Sequence, residues 1–155
     1  MDIKEPEIFK NEEPEFFKNE EPEIFKNEDP IIENLSEINT NPIQFDEDKY
    51  VGEFHSKIKI PHGQGEMILP NGDKYNGNFK FGQPFGFGQL EKQNNEKFVG
   101  NFKNGKYSGF GKLYYSDGSY YEGLFKNGMK NGEGKTIDRN GDEIKQKWEK
   151  DKLIY

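Results

Sequence analysis

The sequence predicts an all-β protein: an elongated, single-layer antiparallel meander of about four and a half 23-residue β-hairpin units, behind a disordered acidic N-terminal tail. Three observations predict it. Aromatic residues and glycines recur every 23 positions, as in Tyr75, Phe98 and Tyr121. Two-residue hairpin signals, Asn104-Gly105 and Asn127-Gly128, separate the aromatic half of a unit from its glycine half. The first 28 residues carry instead an acidic repeat of period eight, with a proline in every copy.

Composition alone would argue for disorder, since 30% of residues are hydrophobic and 33% charged. Aromatics at 15% and 18 glycines oppose that, because together they suit a thin, turn-rich β structure better than a thick aliphatic core. With no cysteine in the chain, disulfides and thiolate metal sites are excluded. No apolar run follows Met1, and no stretch nears the roughly 20 apolar residues of a membrane span, so a cytoplasmic protein is expected. The charge is divided. Residues 1–49 hold 5 Lys against 16 Asp/Glu, a net of -11, whereas residues 50–155 hold 17 Lys/Arg against 13, a net of +4. An acidic tail and a mildly basic domain are physically distinct objects.

In the tail, residues 5–12, 13–20 and 21–28 read EPEIFKNE, EPEFFKNE and EPEIFKNE. Each proline lacks a backbone donor and disfavours α conformation in the residue before it, so no helix runs through these copies. Two apolar side chains per copy, such as Phe16 and Phe17, cannot bury a core. Residues 1–28 are therefore read as disordered. They suit a solvating extension, a multivalent linear motif, or a segment that folds back on the basic domain. Residues 29–49 read as a linker. Asp29 can cap a helix that Pro30 starts, and Ile31, Leu35 and Ile38 share one helical face, which predicts a short helix capping the array.

The array is predicted over 50–155. Gly77, Gly100 and Gly123 keep the 23-residue step, as do Phe79, Phe102 and Phe125. So do Gly86, Gly109 and Gly132, and Gly88, Gly111 and Gly134. The first unit carries two extra residues between Phe54 and Gly63. The register of the Asn104-Gly105 turn puts Phe102 opposite Tyr107, Gly100 opposite Gly109 and Phe98 opposite Gly111. The next hairpin would likewise set Gly123 opposite Gly132 and Tyr121 opposite Gly134. Each leading ring would then cover the bare backbone of a glycine. Ser116-Asp117-Gly118 predicts a three-residue link between hairpins, whose third place (Gly72, Asn95, Gly118, Gly141) needs positive φ. That link sets Gly111 opposite Gly123 and keeps one face continuous, because side-chain direction has period two.

The pattern Tyr-x-Gly-x-aromatic, then Gly, then Gly-x-Gly, resembles the MORN-repeat family across residues 50–155. The resemblance implies a non-catalytic interaction module. It implies a partner protein's helical or extended segment docked on an aromatic-lined groove, often in cytoskeletal, ciliary, axonemal or membrane-junction assemblies. The bias toward Lys, Asn, Ile and Glu suggests an AT-rich genome such as a protist's, which leans the expected location toward cilium or cytoskeleton. The ring stripe supplies the candidate partner-binding residues Tyr75, Phe79, Phe98, Phe102, Tyr121, Phe125 and Trp148. A single layer is expected to leave some of them exposed, and exposed apolar surface marks partner sites. A second reading, also implied by the resemblance, is recognition of anionic phospholipid head groups. Its candidates are Lys80, Lys103, Lys106, Lys126 and Lys130, with Lys135, as a basic rim near the hairpin turns.

No catalytic constellation is found, and no cofactor is called for. His55 and His62 can meet across the longer first hairpin loop, but two ligands make a weak metal site, so solvent-exposed loop histidines are expected and no metal. The Gly-x-Gly pairs lack the helix and Lys-Ser/Thr of a phosphate loop. A charge of +4 over the array is too slight for nucleic acid. Oligomeric state stays open.

Overall fold

The structure, a computed structural model, describes Asp46 and residues 49–155. The octapeptide tail and the expected capping helix at Ile31, Leu35 and Ile38 lie outside the described residues. Among those described, the chain forms one antiparallel sheet in which strands pair in sequence order without a crossover. The first unit is β1 (Tyr50–Phe54) and β2 (Pro61–Ile68). Three regular hairpins follow: β3 (Lys74–Lys80) with β4 (Gln83–Glu91), β5 (Lys97–Lys103) with β6 (Lys106–Tyr114), and β7 (Tyr120–Lys126) with β8 (Met129–Ile137). The half unit is β9 (Glu143–Glu149) with the short β10 (Lys152–Leu153).

Turn chemistry follows the sequence closely. Lys103 pairs Lys106, so Asn104 and Gly105 alone make the turn, with φ of 50° and 75°. Two successive positive φ values define the primed turn that matches strand twist. Asn127 and Gly128 repeat it, at 51° and 81°. Between hairpins, the Tyr115 N–H donates to Ser119 O and the Gly118 N–H to Tyr115 O, which closes the three-residue link. Its third place is left-handed in every copy: Gly72 86°, Asn95 64°, Gly118 89° and Gly141 89°. Gly111 pairs Gly123, as that link requires. In the first unit Phe54 pairs Pro61, and the two extra residues sit in the loop between them.

Register inside the hairpins departs from the expectation. Phe102 does face Tyr107, but Gly100 faces Gly111 rather than Gly109, and Phe98 faces Leu113 rather than Gly111. Likewise Gly123 faces Gly134, not Gly132, and Tyr121 faces Thr136, not Gly134. The cause is a bulge in each second strand. Its turning point is the first glycine of the Gly-x-Gly pair, at φ 67° for Gly109 and 110° for Gly132. The slip is two residues, so every side chain keeps its face.

The rings still cover glycine, by a different route. Phe98 lies along its own strand over Gly100 and diagonally over Gly111, where an added Cβ would collide with the ring. The two glycine backbones also approach closely, since a Cβ on Gly100 would stand 2.7 Å from Gly111 Cα. Side chains would force these strands apart, so the glycine row is a packing requirement. The core is the ring stripe: Tyr50, Tyr75, Phe79, Phe98, Phe102, Tyr121 and Phe125, with Met67.

Candidate functional site

The stripe is built from two rings per unit, four residues apart on one strand, with a glycine midway. That spacing puts both on the same face. Within a strand the rings meet edge to face: Tyr75–Phe79 at 5.0 Å, Phe98–Phe102 at 5.2 Å, Tyr121–Phe125 at 5.5 Å. Between units the leading ring meets the second ring of the next unit. Tyr50–Phe79 is 5.2 Å, Tyr75–Phe102 5.0 Å, Phe98–Phe125 5.1 Å and Tyr121–Trp148 6.1 Å. Every ring thus presents an electropositive edge to a neighbour's electronegative face, a geometry worth about 0.5–1.5 kcal/mol per pair beyond area burial. The contacts run through successive units without a break.

This packing corrects one expectation. Tyr75, Phe79, Phe98, Phe102, Tyr121 and Phe125 are all buried, Phe98 and Tyr121 at 0% exposure, and only Trp148 of the candidate set is half-buried. The rings cover one another and the glycine rows, so the exposed margin of this face is made by others. Leu90, Tyr107, Leu113 and Tyr115 are partly buried and packed against the stripe. Tyr107 was set opposite Phe102 but not named among the stripe's rings, and it stacks flat on Phe98 at 3.7 Å and 10°. Met67 was also missed. Its place in the series with Leu90 and Leu113, 23 residues apart, is the signal that finds it.

Burial of the rings governs the tyrosine hydroxyls. The Tyr50 hydroxyl donates to Glu53 O at 2.6 Å and the Tyr75 hydroxyl to Asn78 O at 2.8 Å. Burial, helped by the nearby Glu53 carboxylate, pushes Tyr50 up to about 12, and burial drives Tyr75 higher still. Tyr107 and Tyr121 are each pushed up to about 12, burial again leading.

The candidate basic rim divides. Lys103, Lys106 and Lys126 are exposed at the hairpin tips, and Lys80 lies over the Phe85 ring at 4.9 Å. Lys135 is engaged instead by Glu122 at 3.1 Å and Glu143 at 2.7 Å, on the face opposite the rings. Lys130 leaves the rim altogether. Its side chain turns onto the ring face, over Tyr121 at 4.5 Å and Trp148 at 4.3 Å, and Nζ donates to Tyr115 Oη at 2.6 Å.

The histidines do meet, with ring centroids 5.2 Å apart, but His55 is buried rather than exposed. Its Nδ1 accepts the Lys57 N–H at 3.2 Å, and His62 Nδ1 accepts the Phe81 N–H at 3.3 Å. An Nδ1 that accepts leaves the proton of a neutral ring on Nε2, so neither Nε2 offers a lone pair to a metal. Among the described residues, no three His, Asp or Glu side chains gather as metal ligands. No helix among them is long and apolar enough to cross a membrane.

Comparison with known proteins agrees with the geometry. The family description "MORN repeat" matches four consecutive segments, residues 50–74, 75–97, 98–120 and 121–143, which together cover more than half of the chain. No curated protein matches it. MORN repeats are in general modules of protein or membrane interaction, and proteins built from them are in general non-catalytic repeat scaffolds.

Proposed function

This chain belongs to the MORN-repeat family, and from that premise we propose that it is a non-catalytic scaffold whose ring face holds a helical or extended segment of a partner protein. The observation that carries the reading is the apolar margin of that face. Leu90, Tyr107, Leu113, Tyr115 and Trp148 remain partly accessible beside a stripe already packed to completion. The buried rings set the shape of the surface, and these margin residues make the contacts. The bias toward Lys and Asn, with the family resemblance, supports a cytoskeletal or ciliary assembly as the setting.

A second reading has its own support: Lys103, Lys106 and Lys126 stand exposed and unpaired by any described carboxylate at the hairpin tips, as anionic phospholipid head groups would require. One experiment separates the two. The full chain serves as bait in a native lysate, beside Leu113→Asp and a Lys103→Glu/Lys126→Glu double variant, each checked for folding. Anionic vesicles are pelleted with the same three proteins. Loss of a protein partner with Leu113→Asp alone supports the scaffold. Vesicle binding lost only with the lysine variant, and no retained protein, sinks it in favour of the membrane reading.

A further inference from the structure

The side of the sheet away from the rings carries an apolar row in the middle of the array. Alternation puts the middle residue of each Gly-x-Gly pair on that side, and the series runs Gln64, Phe87, Phe110, Glu133. The two phenylalanines therefore belong to the second and third units. Phe87 pairs Asn101, and Phe110 pairs Leu124, which is 43% exposed. Phe85, on the same side, is half-buried, and the Lys80 ammonium lies over its ring at 4.9 Å. Phe85, Phe87, Phe110 and Leu124 thus form a row that crosses the sheet from β4 to β7.

A basic border runs beside it. Lys80, Lys103 and Lys126 each follow a buried ring by one residue, so they stand on the side away from the rings. Lys106 pairs Lys103 there. From β3 to β7, among the described residues, no carboxylate lies between the row and the hairpin tips. Glu122 lies on the other side of the row and is already held by Lys112 at 3.0 Å and Lys135 at 3.1 Å. Row and border also share one pitch. Phe87 and Phe110 stand two strands apart, as do Lys80, Lys103 and Lys126 in turn, or about 9.5 Å at ordinary strand spacing. A polyproline II segment returns to the same edge every third residue, about 9.3 Å on. A β-strand returns to one face about every 6.7 Å and falls out of step.

We propose that this row is a second docking surface, and that it takes an acidic polyproline II segment of a partner protein. One edge of the segment sets an apolar side chain on each phenylalanine. The next edge sets a carboxylate beside each border lysine. Such a segment is preformed, so aromatic surfaces bind it with little ordering cost. A lipid bilayer does not fit the same layout. Phe110 is the fifth residue after Gly105, roughly 15 Å behind the hairpin tip, so a bilayer touching the tips does not reach the row. A bilayer laid flat on this face would press Glu91, Glu122 and Glu133 against anionic head groups. The surface lies on the side opposite the ring face, so either can hold a partner without the other.

The full chain is titrated into a fluorescein-labelled peptide that repeats Ile-Pro-Glu four times, and binding is read by anisotropy. Beside it run a peptide of the same composition whose isoleucines no longer fall three apart, and one that repeats Ile-Pro-Lys. Saturable binding of the Ile-Pro-Glu peptide is expected, about tenfold weaker for the altered order and absent for the lysine peptide. Phe110→Ser and the Lys103→Glu/Lys126→Glu double variant should each weaken it about tenfold. No saturable binding to the wild-type chain overturns the proposal by itself, so a variant that fails to fold does not rescue it. Equal affinity for the two orders also overturns it, since charge alone would then hold the peptide. Loss of binding with Leu113→Asp but not with Phe110→Ser overturns it by moving the peptide to the ring face. Binding to phosphatidylserine vesicles without binding to the peptide overturns it and assigns the lysines to head groups. A chain that sediments as a dimer, and as a monomer with Phe110→Ser, overturns it and assigns the row to a second copy.

Discussion

The first hairpin and the third obey the same spacing rules and end differently. Tyr50 and Phe54 open one, Phe98 and Phe102 the other, each pair with a glycine midway. Tyr50, Phe98 and Phe102 are buried, yet Phe54 is 46% exposed and its neighbour Val51 76%. The reason is the ring sequence between units. Phe102 is covered because Tyr75 of the preceding unit meets it edge to face. Phe54 stands in the first of the four matched units, and it meets Tyr50 of its own strand edge to face at 5.0 Å. A motif position therefore does not determine burial; the neighbouring unit does, as expected where each repeat is stable only against the next.

Alkali tests how far this edge effect reaches and is expected to act most strongly. The raised tyrosines contribute stability that is fully present below pH 10.0, their ordinary value, and lost as pH rises through about 12. A rise of this size is worth at most roughly 2–3 kcal/mol for a fully buried ring, and less for the part-accessible Tyr107 and for hydroxyls near solvent. Denaturant melts at stepped pH should thus hold level to pH 10 and then fall steeply. Tyr50 belongs with the interior tyrosines here, so the edge effect ends at Phe54. A phenolate titrating near 10 that disappears in Tyr50→Phe would extend the edge to the whole first unit.

Phe98→Ala against Phe54→Ala is the next sharpest contrast. Removing a fully buried ring costs about 3–5 kcal/mol, and removing the half-exposed one should cost under about 1 kcal/mol. Equal losses in chemical denaturation would mean that Phe54 is covered in solution. Two glycines of one strand then separate collision from strain. Gly111→Ala drives a methyl into the Phe98 ring and should cost about 2–3 kcal/mol. Gly109 has nothing within 4 Å of the added Cβ, and only its φ of 67° opposes a side chain. Gly109→Ala should cost about 1 kcal/mol, and Gly109→Asn less.

These glycines also show what the sequence makes legible. The 23-residue period, the Asn-Gly turns and the left-handed third place of each link are local chemistry, and each can be read from residue type. The hairpin register could not. A slip of two residues leaves every aromatic and glycine on its own face, so hydrophobic alternation cannot distinguish the straight ladder from the bulged one. The clue was the glycine pair itself: the ring lies over the second glycine of the pair, and the first answers a different demand, positive φ at the bulge. The place of Lys130 on the ring face was hidden for another reason. Lysine on a strand reads as a solvated rim, although pairing from the Asn127-Gly128 turn sets it opposite Phe125, and its alignment with Pro61, Pro84 and Tyr107 also puts this position on the ring face.

The face opposite the rings supplies the smallest expected effect and bounds how much of the array's order is electrostatic. Glu122 bridges Lys112 on β6 at 3.0 Å and Lys135 on β8 at 3.1 Å, and Lys135 continues to Glu143 on β9. Burial raises the Glu122 carboxyl, but hydrogen bonds and charge from the two lysines outweigh it and hold the group below its ordinary 4.5. A depressed carboxyl contributes stability above 4.5 that is lost as pH falls through its folded value. Part-exposed pairs are worth little, so Glu122→Gln should cost about 0.5–1 kcal/mol at neutral pH, less in high salt. The gap from wild type should close below pH 4.5. A loss matching that of Phe98→Ala would mean that charge, rather than the ring sequence, couples one unit to the next.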